Sequence, residues 1–135
     1  MRRLRFYKLN INRRLLLLLW GAEICAVIVG SLLPASVLDG IHYDDKLVHF
    51  VNYAVLAMLP AIGLEALSIG MACAAAMVPM GVCIEFLQRL VPGRTFEIAD
   101  MIANALGVVA GVLLALLVKA LLTPSQLLRK TQREP

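Results

Sequence analysis

Two stretches of this chain carry the residue types from which acid–base chemistry is built. In "DDKLVHFVNYAVLA", Asp45, His49, Asn52, Tyr53 and Leu56 follow i, i+4, i+7, i+8 and i+11. That spacing stacks side chains on one helical face. The face offers a carboxylate, an imidazole, an amide and a phenol, with Lys46 beside them. In "IEFLQRLVPGRTFEIAD", Glu85 precedes Gln88 by three positions and Arg89 by four. Further on, Glu97 precedes Asp100, and Asn104 follows Asp100 at i+4, with Gly107 and Gly111 continuing that face. Pro92 and Gly93 form a tight turn that puts Arg94 within reach of the helix ends.

These residues suit a defined division of labour. His49 would be the titratable group, positioned by Asp45, with Glu85 or Asp100 as partner base in an acid–base cluster. Arg94 and Lys46 would hold a phosphate or carboxylate through charge-assisted hydrogen bonds. Tyr53, Gln88 and Asn104 complete the ligand-binding set. Ser31 and Ser36 lie in the facing loop, but nothing in the sequence pairs either with His49, so acid–base work fits better than nucleophilic attack. A metal reading would use His49, Glu85 and Asp100, joined by His42, and would suit an oxygen-preferring ion. Matching of ligand types alone is permissive, so no metal and no cofactor is assigned.

The elements that must position these groups are set by composition. Of 135 residues, 61% are hydrophobic and only 16% charged, and the mean hydropathy is +0.84. A soluble domain of this size could not bury so much apolar surface, so the bilayer is the expected solvent. Four apolar stretches, about 15–33, 47–67, 68–91 and 101–122, approach the ~20 residues a membrane-spanning helix needs. Period-two alternation is absent, which argues against a barrel. The expected fold is therefore an all-α integral membrane protein, a four-transmembrane-helix bundle. Residues 1–14 form a basic N-terminal segment, 15–122 the membrane domain and 123–135 a polar tail. The first stretch is expected to remain as a span, because its 19 apolar positions exceed the ~7–15 of a signal-peptide core and Glu23 interrupts it.

Ten of the 13 Lys and Arg residues lie in the N-terminal segment and at the C-terminal end. The positive-inside rule then places both termini in the cytoplasm and the polar bend on the outer face. The net charge of +4 reads as an orientation signal with attraction for anionic lipid headgroups, and no nucleic-acid partner is needed. Cys25, Cys73 and Cys83 fall inside the spans without metal or redox spacing and read as small packing residues. Glu23, near mid-membrane, reads as hydrogen-bonded to a neighbouring helix. Gly107 and Gly111 form a GxxxG, which serves either a contact within the chain or a homodimer seam.

Taken together, "SLLP", "DKLVHFVNYAVLA" and "IEFLQRLVPGRTFEIADMIANALGVVAG" resemble the VanZ-like family of small bacterial membrane proteins. The resemblance spans about residues 31–115 and rests on Lys46, His49, Tyr53, Glu85, Gln88, Arg94, Asp100, Asn104 and Gly107. It implies an all-helical bundle in the bacterial cytoplasmic (inner) membrane. The family's founding member is associated with resistance to the glycopeptide teicoplanin, and many relatives have no assigned role. The favoured reading is a protein whose outer-face polar pocket binds or modifies a cell-envelope lipid or a lipid-linked precursor, with membrane lipids as partners. The alternatives are a non-catalytic adaptor whose polar cluster only locks the helices, and a small dimeric transporter. The transporter is disfavoured because only Glu23 lies deep in a span.

Overall fold

A computed structural model of the chain describes residues 12–38 and 44–122. His42, most of the basic N-terminal segment and the polar tail lie outside the described residues. The element order is α1 (Arg13–Ser31), the single turn α2 (Ala35–Leu38), α3 (Asp45–Gly63), α4 (Leu67–Gln88) and α5 (Ile98–Leu122). The described residues contain no strand, and α1, α3, α4 and α5 are each long and apolar enough to cross a membrane.

The helix ends follow from local chemistry. Asn12 caps α1 by accepting the Leu15 N–H at 3.3 Å, and Pro34 lies just beyond its last turn. Asp44 caps α3 by accepting the Leu47 N–H at 3.1 Å. Such caps satisfy N–H groups that the helix leaves unpaired. Asp45 and Asp100 lie in the first turns of α3 and α5, where the helix dipole favours negative charge. Both helices consequently start two or three residues earlier than their apolar stretches predict. Gly63 closes α3 and the hairpin to α4 is tight. Arg13 and Glu65 form an ion pair that ties the start of α1 to this hairpin.

The surface is apolar where a soluble protein's would be polar. Leu18, Leu113 and Leu121 are 60% or more exposed, while Leu56, Ala57 and Ala74 have no exposed surface. Outward leucines suit a lipid solvent and would be an aggregation hazard in water. Two of the cysteines, Cys25 and Cys83, are also exposed and free, so they face the surroundings and do not pack the interior. α3 is the central helix, packing against α1, α4 and α5, and its largest interface is with α5. α1 is peripheral and makes no contact with α5.

Glycines bring the central pairs together. Gly70 of α4 sits so close to α3 that a Cβ there would fall 2.8 Å from the Pro60 carbonyl oxygen. At Gly107 and Gly111 a Cβ would collide with the backbone of Phe50 and Ala54 in α3. The GxxxG face is therefore spent inside the chain. A homodimer seam through it would have to displace α3, which removes these two glycines as a dimer interface.

In lipid no hydrophobic force draws helices together, so close packing of this kind carries the association. Gly111→Val is expected to cost about 1–3 kcal/mol through overpacking. A thermal melt of the detergent-purified protein, beside a lipid-facing Leu113→Val control that leaves the melt unchanged, checks this.

Candidate functional site

The polar residues gather where α3 begins, α4 ends and α5 begins. α3 contributes half-buried Asp45 and buried His49 and Tyr53, α4 contributes Glu85 and Gln88, and α5 contributes Asp100 and Asn104. Glu85 has no exposed surface at all. Three helices thus bury carboxyls, an imidazole, a phenol and amides in one bundle end, where hydrocarbon offers no partners.

The centre of the network is a hydrogen bond between His49 Nδ1 and Asn104 Oδ1 at 3.0 Å. An amide oxygen only accepts, so His49 donates from Nδ1 and leaves Nε2 on its other side. That nitrogen faces Asp45 Oδ1 at 3.9 Å, too far for a hydrogen bond. Glu85 Oε1 accepts the backbone N–H of Glu97 at 3.0 Å, which ties α4 to the start of α5. Its Oε2 is buried and accepts nothing, and the same is true of Asp100 Oδ1. The Tyr53 hydroxyl is also buried without a partner.

Lys46 lies at the rim. Its Nζ donates to Glu97 Oε2 at 2.9 Å and approaches Asp100 Oδ1 at 3.5 Å. The hydrogen bond from Lys46 holds the Glu97 carboxyl below its ordinary pKa, and the lysine's charge acts in the same direction. Four carboxyls, Asp45, Glu85, Glu97 and Asp100, therefore face a single lysine and one histidine. A set of that sign attracts cations more readily than anions.

Two residues expected to bind ligand have turned elsewhere. Arg94 does not reach toward the cluster. Its Nε donates to the Leu33 carbonyl and its Nη2 to the Gly30 carbonyl, both at 3.3 Å. Gln88 Nε2 donates to the Ser31 carbonyl at 3.0 Å. Gly30 and Ser31 end α1 and Leu33 lies just beyond it, where carbonyls lack helical partners and positive charge is favoured. Gly93, at φ 77°, turns the chain so that it presses on Ala35, and the Ala35 N–H bonds the Pro92 carbonyl at 3.3 Å. "SLLP" and "VPGR" are thus two halves of one lock. Arg89 is taken up as well, its guanidinium 4.1 Å from the centre of the Phe96 ring.

Two contributors escaped the sequence reading. Glu97 supplies the N–H that holds Glu85 and the carboxylate that holds Lys46, yet its spacing marks it only as a residue ahead of α5. Gly81 is the other. A Cβ there would lie 2.9 Å from both the Tyr53 hydroxyl and Asn104 Nδ2, so the bare backbone makes room for two polar groups. Its position four residues before Glu85 was the available signal.

Gly81→Ala is expected to displace Tyr53 and Asn104 and break the 3.0 Å bond to His49, while α1 stays docked. Histidine NMR of the detergent-solubilised protein should show the Nδ1 proton resonance lost. The Glu97 shift predicts a pH effect of known sign. Because the folded pKa is lowered, the stabilisation is full above about 4.5 and is lost as pH falls through the lowered value. Melting curves should show wild type losing stability in that window more steeply than Glu97→Gln.

The VanZ/LLP1 family matches residues 9–119 of the chain. No curated protein and no solved structure matches it. The match covers the first three candidate spans, the fourth up to residue 119, and every site residue, so this multi-pass membrane chain belongs to the VanZ/LLP1 family.

Proposed function

We propose that this VanZ-like chain acts at the outer face of the bacterial cytoplasmic membrane on the headgroup region of a cell-envelope lipid or lipid-linked precursor. The observation that carries this reading is the buried cluster of His49, Glu85 and Asp100, two of whose carboxylate oxygens accept no hydrogen bond. Ionisable groups inside a membrane bundle are costly and mark functional sites by default. A helix of 19 residues is about 28 Å long, close to the ~30 Å hydrocarbon thickness. The end of α3 therefore falls at headgroup depth, where a lipid presents its phosphate and sugars.

In this reading His49 offers Nε2 as the hydrogen-bond acceptor or base, and Asp45 stands beside it at the rim. Asn104 keeps the imidazole oriented and Tyr53 offers its hydroxyl. Both termini lie in the cytoplasm on the strength of the Lys and Arg distribution. Membership of the VanZ/LLP1 family makes glycopeptide susceptibility the first phenotype to examine.

A second reading, a purely structural lock, is favoured for one part of the motif. Gln88 and Arg94 are spent on α1. The two parts separate by mutation in a susceptible host challenged with teicoplanin and with vancomycin. His49→Ala and Asp100→Asn are expected to abolish protection at wild-type membrane abundance, whereas Arg94→Ala lowers abundance itself on an immunoblot. Wild-type protection retained by His49→Ala at equal abundance would overturn the proposed site. Absence of protection by well-expressed wild type would remove the glycopeptide role.

A further inference from the structure

One ligand atom from each of Asp45, His49 and Asp100 lies within 4.8 Å of the other two. Donors that bind one tetrahedral ion at about 2.0–2.2 Å stand about 3.3–3.6 Å apart, so the side chains would draw in by up to about an ångström to close the set. We propose that these three residues bind a divalent cation that accepts mixed nitrogen and oxygen ligands, with the buried Glu85 carboxyl near the set. This revises the ligand set expected from spacing alone by bringing in Asp45.

Three independent observations point to an ion. First, His49 donates Nδ1–H to Asn104 Oδ1, the outer-shell arrangement by which metal-ligating histidines fix their tautomer and present the other nitrogen. Its Nε2 is left facing Asp45 Oδ1 at 3.9 Å, without a hydrogen bond.

Second, Asp100 is 3% exposed and its Oδ1 accepts no hydrogen bond. Glu85, fully buried, has an equally unpaired Oε2 and is close enough to Asp100, His49 and Asp45 to feel their charges. Burying carboxylate oxygens that accept no hydrogen bond is expensive, and a cation is the compensation that satisfies several at once. Third, the nearest fixed cation is already engaged. Lys46 holds Glu97 at 2.9 Å and meets Asp100 only at 3.5 Å. Its side chain is half exposed and lies at the rim of the set.

The donor set narrows the ion. Imidazole suits Zn²⁺ and the later transition metals, while carboxylates suit Mg²⁺, Ca²⁺ and Mn²⁺. A single histidine among carboxylates fits Mn²⁺ or Zn²⁺. Such an ion would also turn an acidic cluster into one that binds phosphate oxygens. The cation site itself rests on the geometry above and holds whether or not an envelope lipid is the ligand.

The test uses the full chain purified in detergent and stripped with a chelator. Mn²⁺ binding is read by electron paramagnetic resonance of the free ion, and Zn²⁺ binding by competition with a fluorescent chelator. Saturable uptake of one ion per chain is expected for at least one of the two metals. Asp100→Asn and Asp45→Asn should each weaken it about tenfold or more, given what even outer-shell changes cost. Lys46→Met, which removes the competing charge, should tighten it. Half-exposed Asp45 can lose its charge with little effect on packing, so its variant keeps the test open if Asp100→Asn fails to fold. No saturable binding of either ion at micromolar concentrations, or binding untouched in the folded Asp variants, overturns the proposal. Neither result depends on glycopeptide protection, so the two readings fail separately.

Discussion

The backbone contact between α3 and α5 governs everything built at the polar end. Gly107 and Gly111 lie directly against Phe50 and Ala54, which fixes both the separation of the two helices and their register. His49 immediately precedes Phe50, and Asn104 lies one turn before Gly107. The imidazole–amide bond is therefore the next layer outward from the glycine contact. Any side chain at either glycine would force the helices apart and stretch that bond. Within lipid the helices gain little from mutual burial of apolar surface, so packing at small residues has to supply the attraction. Site geometry and bundle stability consequently rest on the same few atoms.

The polar residues around that contact fall into two groups with different energetic roles. Gln88 and Arg94 are closed: each donates to carbonyls at the end of α1 and so fastens the one helix that is otherwise peripheral. Arginine is well suited to this, since its fork of donors meets two carbonyls at once. The second group, Asp45, His49, Glu85 and Asp100, is left open. It holds more acceptors than donors, and its only nearby lysine is divided between Glu97 and Asp100. A fold that needed only a rigid lock would be better served by apolar side chains of similar volume, because buried ionic groups are often neutral or costly to stability.

The helices, their number and the shared face of Asp45, His49 and Tyr53 were legible because helical periodicity is local. It depends on neither partners nor loops. The family was legible because its motif is long. The destination of Arg94 was not, because a residue on a turn takes its direction from whichever helix end comes to meet it, and the docking of α1 is a tertiary event. The spans' first residues were missed for a related reason. Asp45 and Asp100 look like loop residues on hydropathy but sit in helical first turns, where the dipole welcomes them. Gly81 and Glu97 matter through a missing side chain and a backbone N–H, and neither leaves a mark in a list of chemically active residue types.

The dipole argument also isolates the residue that folding alone does not explain. Asp45 and Asp100 have a local reason to be acidic, since each lies at a helix N-terminus. Glu85 has the opposite placement, in the last turn of α4, where exposed carbonyls make a negative charge unfavourable. It is also fully buried, and the one hydrogen bond given to it, from the Glu97 N–H, leaves Oε2 unmatched. A glutamine there could accept the same N–H and carry no charge against the helix dipole. The chain instead places a carboxyl where helix physics disfavours it, beside two carboxyls that helix physics permits. All three lie at the same bundle end as a histidine whose Nδ1 is already bonded to Asn104. That convergence has a physical purpose if something positive comes to lie between them.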